Sequence, residues 1–383
     1  MTFKLAVIVN KDGSALDPSE TFLHAHINQM PCDVFSLIGN PGYRMVREGS
    51  GGDGKYLASR TLVPLALRWA LRQVNGQTVA EQDTRALRRY LAANNIDAVL
   101  AEYGPTAVTV MEACRQAGIP LIAQFHGYDA FSDNVVDELL PGYIQLFGCA
   151  AAIVGVSSHM CEKLRDMGAP QEKLFHNACG AEVSEQRIAA PGDAGPRFVM
   201  VGRLVEKKAP FVSLLAFAGV ASEFPEAELE VIGDGPLMAP CQQLSRALGI
   251  EERVTFAGAR PHDYVMSTLS NARCFIQHSV RAPDGDMEGT PVGVLEAMGM
   301  GLPVVSTRHG GIRDIISEGE TGLLVDEYDA EAMSAAMRDV AANAEYAAEL
   351  GSKARQSVLE NWTSQKSVGR LWDIIQKASR QAI

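Results

Sequence analysis

Short apolar runs alternate with longer mixed stretches along most of the chain. Apolar runs of about four to eight residues bounded by glycine or polar residues predict buried strands, and the mixed stretches between them predict helices. The predicted strands span 5–10, 34–39, 98–102, 121–125, 153–157 and 173–180, then 197–202, 229–233, 254–258, 274–278 and 303–306. Helices are predicted from residue 19, at 60–74, 78–94, 105–117, 210–222 and 237–248, from residues 262 and 290, and at 330–343, 345–361 and 364–377. This alternation indicates an α/β protein built from parallel sheets with helices on both faces.

The segment 189–196 divides this pattern into two halves. Its sequence, AAPGDAGP, consists of small residues, proline and glycine, which is typical of a linker. We therefore predict an N-terminal Rossmann-like domain at 1–190 and a second one at 196–361. A final segment, 362–383, contains an amphipathic helix with Val368, Leu371, Trp372 and Ile375 on one face.

Composition narrows the class of protein. The chain has 383 residues, of which 47% are hydrophobic, so two domains of ordinary size can each bury a core. The formal net charge of −12 argues against a general nucleic-acid binder. The seven cysteines form no C-x-x-C pair, which fits reduced thiols in the cytoplasm. We recognise neither a signal peptide nor a membrane span in the sequence.

One region departs from the acidic average. Residues 41–89 hold nine arginines and lysines against four acidic residues, and the stretch 57–74 mixes leucine, valine and tryptophan with three arginines. Such a stretch can lie on an anionic membrane surface at the inner face of the plasma membrane. It can equally be a core helix with a solvated arginine face. The sequence leaves both interpretations open.

Residues 284–314 carry the densest chemical signal. Glu288 precedes a helix that Thr290 and Pro291 are predicted to start, because proline suits a first helical turn. The unpaired amides there, of Thr290, Val292 and Gly293, favour a bound phosphate. Glu296 is predicted about two turns inside the helix. The two carboxylates are then roughly 9–12 Å apart along its axis, enough to span a sugar and a ribose on either side of a diphosphate.

Two further strand ends carry polar groups. Gly202-Arg203-Leu204 follows the first strand of the second half, and Lys207 and Lys208 come soon after. Arginine and lysine there can bind phosphate oxygens, and we take Lys207 to be a solvated neighbour. His126 follows the strand 121–125, at the edge where open α/β sheets bind ligands. A glycine turn, Gly13, follows the first strand, although the G-x-G-x-x-G fingerprint of nicotinamide oxidoreductases is absent after both first strands.

These strings together resemble the family-4 glycosyltransferases of the GT-B fold, in particular those of bacterial exopolysaccharide assembly. The resemblance rests on E-x7-E followed by AMGMGLPVVST and HGGI, on GRLVEKKA, on the GDGP turn at 233–236 and on HGYD at 126–129. It covers almost the whole chain. Ala209 replaces the usual final glycine of the second string, and Glu182 stands where relatives usually have aspartate.

The resemblance implies two Rossmann-like domains facing a cleft, with the C-terminal helix crossing back to the first domain. It implies a retaining transferase without a metal or other cofactor, which moves a sugar from a nucleoside diphosphate donor to a lipid-linked or saccharide acceptor. It also implies a role for each candidate residue. The residues taken as catalytic are His126, Arg203, Lys208 and Glu288, and those taken to bind the donor are Gly13, Arg203, Lys208, Thr290, Val292, Gly293 and Glu296.

Other functions stay open at this point. Asp284 and Asp286 spell the D-x-D pair of metal-dependent transferases, but their position beside the glutamate motif favours a loop. A soluble-acceptor or sucrose/trehalose-type synthase shares the fold. So do a nucleotide-sugar-binding protein without transfer and a nucleotide-sugar epimerase.

Overall fold

The structure is a computed structural model that describes residues 2–10, 20–39, 44–45, 79–184 and 187–381. The predicted glycine turn at Gly13, the predicted helix 60–74 and most of the basic segment 41–89 lie outside these residues. None of the helices within the described ranges is long and apolar enough to cross a bilayer.

Thirteen described strands form two sheets. The first sheet contains β1 Lys4–Val9, β2 Asp33–Ile38, β3 Arg44–Met45, β4 Ala98–Glu102, β5 Leu121–Phe125, β6 Ala152–Gly155 and β7 Leu174–His176. Their order across the sheet is β3-β2-β1-β4-β5-β6-β7, and all are parallel except the short β3. All five residues of β4 and of β5 are buried, as expected for central strands covered by helices on both faces.

The second sheet contains β8 Arg197–Val201, β9 Glu228–Ile232, β10 Val254–Gly258, β11 Cys274–Gln277, β12 Val304–Thr307 and β13 Leu323–Val325. It is parallel throughout, in the order β10-β9-β8-β11-β12-β13. The predicted α/β class with two Rossmann-like units is therefore confirmed. In each sheet successive strands are added first on one side of the first strand, β1 or β8, and then on its other side. Open α/β sheets bind ligands at this point, where the strand order reverses.

Helices flank both sheets. In chain order they are α1 Thr21–Asn28, α2 Val79–Ala93, α3 Gly104–Ala117, α4 Tyr128–Phe131, α5 Asp133–Cys149, α6 Ser158–Asp166, α7 Pro210–Glu223, α8 Met238–Ala247, α9 His262–Ser270, α10 Val292–Gly299, α11 Ile312–Ile315, α12 Ala330–Ala342, α13 Ala344–Ser357 and α14 Ser364–Gln381. Helix α5 was not predicted. A single π-turn, Val358–Trp362, separates α13 from α14.

Helix α14 packs on the first domain, as predicted. Its buried residues Val368, Leu371 and Ile375 share a hydrophobic cluster with Leu5 of β1 and Leu100 of β4. The clustered side chains of α14 lie three or four residues apart, which is the spacing of one helical face. The last helix of the chain thus completes the core of the first domain.

Candidate functional site

The residues predicted to bind phosphate lie on a loop after β8. Arg203 is exposed there, and Lys207 and Lys208 belong to a 3-10 turn, Glu206–Lys208. The GDGP turn at 233–236 packs against this loop, and the Leu204 N–H donates to the Asp234 carbonyl oxygen at 2.9 Å. A Cβ on Gly235 would approach the Leu204 carbonyl too closely. The glycine therefore permits the close contact that fixes the loop.

Lys208 forms an ion pair with Glu288. The distance from Lys208 Nζ to Glu288 Oε1 is 3.1 Å, and the two side chains are 15% and 7% exposed. Burial lowers the pKa of Lys208, and Glu288 offsets only part of this effect. Burial alone would raise the pKa of Glu288, but Lys208 and Lys207 hold it below its usual value. The charge on each member of the pair therefore depends on the other.

Lys207 points into the protein, so its prediction as a solvated neighbour is wrong. Its side chain is 12% exposed, and Nζ lies 2.9 Å from the Asp286 carboxylate and donates to the Met287 carbonyl at 3.3 Å. Two consecutive lysines face inward because each has an acidic partner on the loop that precedes α10. Asp286, half of the D-x-D spelling, is thus the partner of a lysine. Among the described residues, no cluster of three or more histidine, cysteine or acidic side chains could hold a metal ion.

His126 is held by a turn that closes on Asp129. The backbone N–H groups of His126 and Gly127 donate to the Asp129 carboxylate at 3.0 and 2.8 Å. The N–H of Gly104, at the start of α3, donates to the same carboxylate at 2.9 Å. Asp129 is fully buried. It therefore joins the ends of β4 and β5, a role that the HGYD string alone did not reveal.

The His126 side chain contacts a second buried carboxylate. Glu102, the last residue of β4, lies 2.7 Å from His126 Nε2 and 2.7 Å from His26 Nδ1. The His126 ring stacks on Phe22 with the ring centroids 4.4 Å apart. Sequence analysis identified neither Glu102 nor His26. The feature of the sequence that could have identified Glu102 is its position as a carboxylate at the end of an apolar strand.

The loop before α10 packs against the His126 turn. A Cβ on Gly289 would overlap the His126 carbonyl oxygen, and one on Gly311 would overlap the Gly289 carbonyl oxygen. The Thr290 hydroxyl donates to the Val156 carbonyl at 2.7 Å and accepts from the Cys179 N–H at 3.0 Å. The loop of the second domain is therefore tied to the first domain by close backbone contact and by the Thr290 side chain.

His309, of the HGGI string, fixes the backbone of Glu288. The Glu288 N–H donates to His309 Nε2 at 3.2 Å, and His309 Nδ1 lies 2.6 Å from Glu327 Oε1. An imidazole that accepts at Nε2 carries its proton on Nδ1, where it can donate to Glu327. Burial lowers the pKa of His309, although Glu327 opposes this, so the ring is held in its neutral form. The HGGI string thus supports Glu288 through the His309 hydrogen bond, through a second hydrogen bond from the Gly311 N–H to the Glu288 carbonyl oxygen at 3.4 Å, and through the close approach of Gly310 to that oxygen.

Helix α10 begins one or two residues later than predicted, at Val292, and Glu296 consequently lies about one turn inside it rather than two. The amides of Val292 and Gly293 are at its first turn, where no carbonyl of the helix can accept from them. Burial and then the nearby Glu182 raise the pKa of Glu296 to about 7. The residue that departs from the family pattern, Glu182, thus adds to the effect of burial on the pKa of Glu296.

One cavity of about 560 Å³ collects most of the predicted residues. Among the predicted residues, His126 lines the cavity from the first domain, and Arg203, Lys208, Glu288, Thr290 and Val292 line it from the second. Lys207 and Pro291 line it as well. Gly293 and Glu296 follow on α10 but do not line the cavity, and Gly13 lies outside the described residues. The first-domain side also includes residues that were not predicted as site residues. Among them are Glu20, Phe22, Tyr103, Tyr128 and Cys179.

Known proteins are similar to this chain in sequence and in fold. The family model described as Glycosyl transferases group 1 matches residues 184–357, and the one described as Glycosyl transferase 4-like domain matches residues 46–180. A Salmonella typhimurium protein assigned to colanic acid biosynthesis, the glycosyltransferase WcaL, is 32% identical over 249 residues. The amylovoran biosynthesis glycosyltransferase AmsK of Erwinia amylovora is 32% identical over 216 residues.

Those alignments cover 63% and 56% of this chain but only 61% and 53% of the two relatives, so the chain spans about three fifths or less of their length. Among solved structures, Anabaena HepE in complex with UDP has a TM-score of 0.72 at 17% identity, covering 97% of this chain and 99% of HepE. At that identity the likeness shows the fold alone. The two family models together match about four fifths of the chain. The chain therefore belongs to the GT-B glycosyltransferases, with an N-terminal glycosyl transferase 4-like domain and a C-terminal domain of glycosyl transferases group 1.

Proposed function

We propose that this protein transfers a sugar from a nucleoside diphosphate sugar to an acceptor hydroxyl, with retention of the anomeric configuration. The observation that carries the proposal is that Arg203 and Lys208 face the start of α10 across a single cavity. Two cations and free helix amides suit a diphosphate, because both favour negative charge. Among the described residues, Arg203 forms no ion pair, so its guanidinium is available to a ligand.

The proposed reaction breaks the bond between the sugar C1 and the diphosphate oxygen and forms a bond from C1 to the acceptor oxygen on the same face. A phosphate oxygen of the donor takes the acceptor proton. Arg203 and Lys208 neutralise the charge that develops on the leaving diphosphate, which is transition-state stabilisation. The amides of Thr290, Val292 and Gly293 assist them.

The remaining candidate residues bind the two ends of the donor. Glu288 lies at the cavity and is 5% exposed, so it can accept hydrogen bonds from sugar hydroxyls in a site with little water. His126 orients the same sugar. Glu296, one turn inside α10, accepts from the ribose hydroxyls. Gly13 is proposed to approach the diphosphate or the acceptor from the first domain.

The proposed chemistry uses no metal ion. A divalent cation would serve to neutralise the diphosphate, and Arg203, Lys208 and the helix amides supply that charge instead. Asp286, the second aspartate of the D-x-D sequence, already forms an ion pair with Lys207.

The acceptor is proposed to be a saccharide or a lipid-linked saccharide of exopolysaccharide synthesis, reached at the inner face of the plasma membrane. The described part of the basic segment supports this. Arg85, Arg88 and Arg89 of α2 are exposed and line a groove beside Glu112 and Gln116 of α3. Three arginines at an anionic membrane surface would contribute about 1 kcal/mol each.

A thermal-shift screen against UDP- and GDP-sugars tests the donor, because a ligand that binds only the folded state raises the apparent stability. We expect one nucleotide sugar to raise the Tm, and to be turned over into a product whose anomeric configuration matches the donor by NMR. An inverted product would refute retention. A ligand that raises the Tm without any transfer or hydrolysis would favour a binding protein, and recovery of the C4 or C2 epimer would favour an epimerase.

A further inference from the structure

Glu102 lies between two histidines in the interior of the first domain. Its oxygens are 2.7 Å from His26 Nδ1 and 2.7 Å from His126 Nε2. The side chains of Glu102, His26 and His126 are 0%, 2% and 6% exposed. Helix α1 supplies His26, β4 supplies Glu102, and the turn after β5 supplies His126. Only His126 of the three lines the cavity.

A carboxylate without access to water needs a positive partner and hydrogen-bond donors at its oxygens. An ionised carboxylate only accepts, so each imidazole nitrogen that faces Glu102 must carry a proton. The electrostatics of the three side chains agree with this arrangement. Burial opposes both charges, yet His26 and His126 hold the pKa of Glu102 at about 2, and contacts with Cys179 and Glu102 raise the pKa of His126 to about 10.

The opposite edge of the His126 ring faces a much weaker partner. Nδ1 lies 3.9 Å from the Cys179 sulfur, and the thiol is a poor acceptor. The other groups around the ring are aromatic or already engaged. Phe22 stacks on it, Tyr103 lies 4.7 Å away with its hydroxyl donating to Glu20 at 2.9 Å, and the Asp129 carboxylate is used by backbone amides. An Nδ1 proton can therefore be donated to an oxygen inside the cavity.

We propose that Glu102 is a positioning residue for the transfer reaction, which holds His126 as an imidazolium with Nε2–H directed to Glu102 and Nδ1–H available to the bound sugar. Glu102 itself does not line the cavity. The kinetic consequence rests on the proposed function, whereas the protonation state of His126 does not.

Selective 15N-histidine labelling tests the protonation state directly. His126→Gln identifies the resonances of His126 by their loss. We expect both ring nitrogens of His126 to remain protonated in the wild-type protein up to at least about pH 8, well above an ordinary histidine. In Glu102→Gln, burial without the carboxylate should make the ring neutral by about pH 7. A neutral His126 at pH 7 in the wild-type protein would overturn the proposal, and this measurement needs neither turnover nor a folded Glu102 variant.

Kinetics separate positioning from folding. We expect Glu102→Gln to lose at least about tenfold in kcat near pH 8 and to recover part of this loss as the pH falls, while the donor KM changes less than about threefold. His26→Gln is the matched control, since it removes the other partner of the same carboxylate. It should keep the pH profile of the wild-type enzyme. If both variants lose activity equally and keep the wild-type profile, Glu102 acts on folding alone and the proposal fails.

Discussion

The ion pair between Lys208 and Glu288 predicts that one substitution affects stability and turnover through different causes. Methionine at position 208 keeps most of the side-chain volume and removes the charge. The substitution leaves Glu288, 7% exposed at its side chain, without the cation that lies 3.1 Å away. It also removes a positive charge from the cavity in which the leaving diphosphate is proposed to lie.

The loss of stability follows from the burial of the pair, and the loss of turnover follows from the lost contact with phosphate. Breaking a buried ion pair by removing one partner costs about 3–5 kcal/mol, because the other charge stays buried. At about 2–4 °C per kcal/mol for a domain of this size, Lys208→Met should lower the Tm by about 6–20 °C. A charge-assisted hydrogen bond to phosphate contributes about 1.5–3 kcal/mol, so kcat/KM should also fall by about 10- to 150-fold.

The stability loss should depend on pH. In the wild-type protein Lys208 and Lys207 hold the pKa of Glu288 below its usual value. Without Lys208, burial should raise that pKa above its value in the unfolded chain, and an acid with a raised folded pKa destabilises the folded state increasingly as the pH rises. The Tm difference between Lys208→Met and the wild-type protein should therefore be largest near pH 8 and shrink towards pH 5.

Scanning calorimetry from about pH 5 to 8 on four proteins measures this: wild type, Lys208→Met, Glu288→Gln and the double variant. The double variant should regain at least half of the lost Tm, because it has no unpaired charge, while its activity stays low. Arg203→Ala is the control, since an exposed guanidinium without an ion pair among the described residues should affect turnover but not Tm. A Lys208→Met protein as stable as the wild type at every pH would refute the reasoning.

Four further outcomes are expected. Glu288→Gln should lower kcat more than donor affinity, and Glu296→Gln should weaken nucleoside diphosphate binding more than kcat; steady-state kinetics and calorimetric titration showing the reverse would mean that the donor lies the other way along α10. Activity should survive EDTA in the wild-type enzyme and in Asp286→Asn, and loss restored by Mg²⁺ or Mn²⁺ would contradict this. Binding to anionic vesicles should weaken steeply with salt and when the three exposed arginines of α2 are changed to glutamine, whereas equally negligible binding to neutral and anionic vesicles would exclude membrane contact. Leu371→Ala, at a fully buried position of α14, should destabilise the protein by about 2–5 kcal/mol in urea unfolding, and an unchanged midpoint would remove α14 from the core of the first domain.

The sequence pattern predicted central strands accurately because they are buried on both faces. The predicted bounds 98–102 and 121–125 agree with the central strands β4 and β5 as they are found, and the bounds 254–258 also agree with β10, which lies at an edge of its sheet. Helix α5 was missed because Pro141, Gly142 and Gly148 interrupt its pattern. It forms nevertheless, since Tyr143, Leu146 and Phe147 bury one face against the first-domain core. Packing there outweighs local helix propensity.

The site was predictable where one stretch of chain carries its own partners. Glu288, Thr290 and Val292 lie within five residues of one another around the start of one helix, so the sequence alone predicted that they share a site. Glu102 gave no such signal, because its partner His26 lies 76 residues away in the chain. The inward turn of Lys207 also depends on a distant residue, Asp286, 79 positions later. Such pairings are created by the topology of the sheets, which a local pattern does not encode.

Three segments that are far apart in the sequence meet at one contact region between the domains. The carbonyl of His126, from HGYD, fills the space that a side chain at Gly289 would need, and the Gly289 carbonyl does the same at Gly311 of HGGI. The Thr290 hydroxyl then bonds the backbone of the first domain at Val156 and Cys179. Glu288 and His126 are thus held relative to each other by close backbone contacts and by the short side chain of Thr290. A methyl group at Gly289 should therefore separate the proposed sugar-binding groups of the two domains while leaving every charged residue in place.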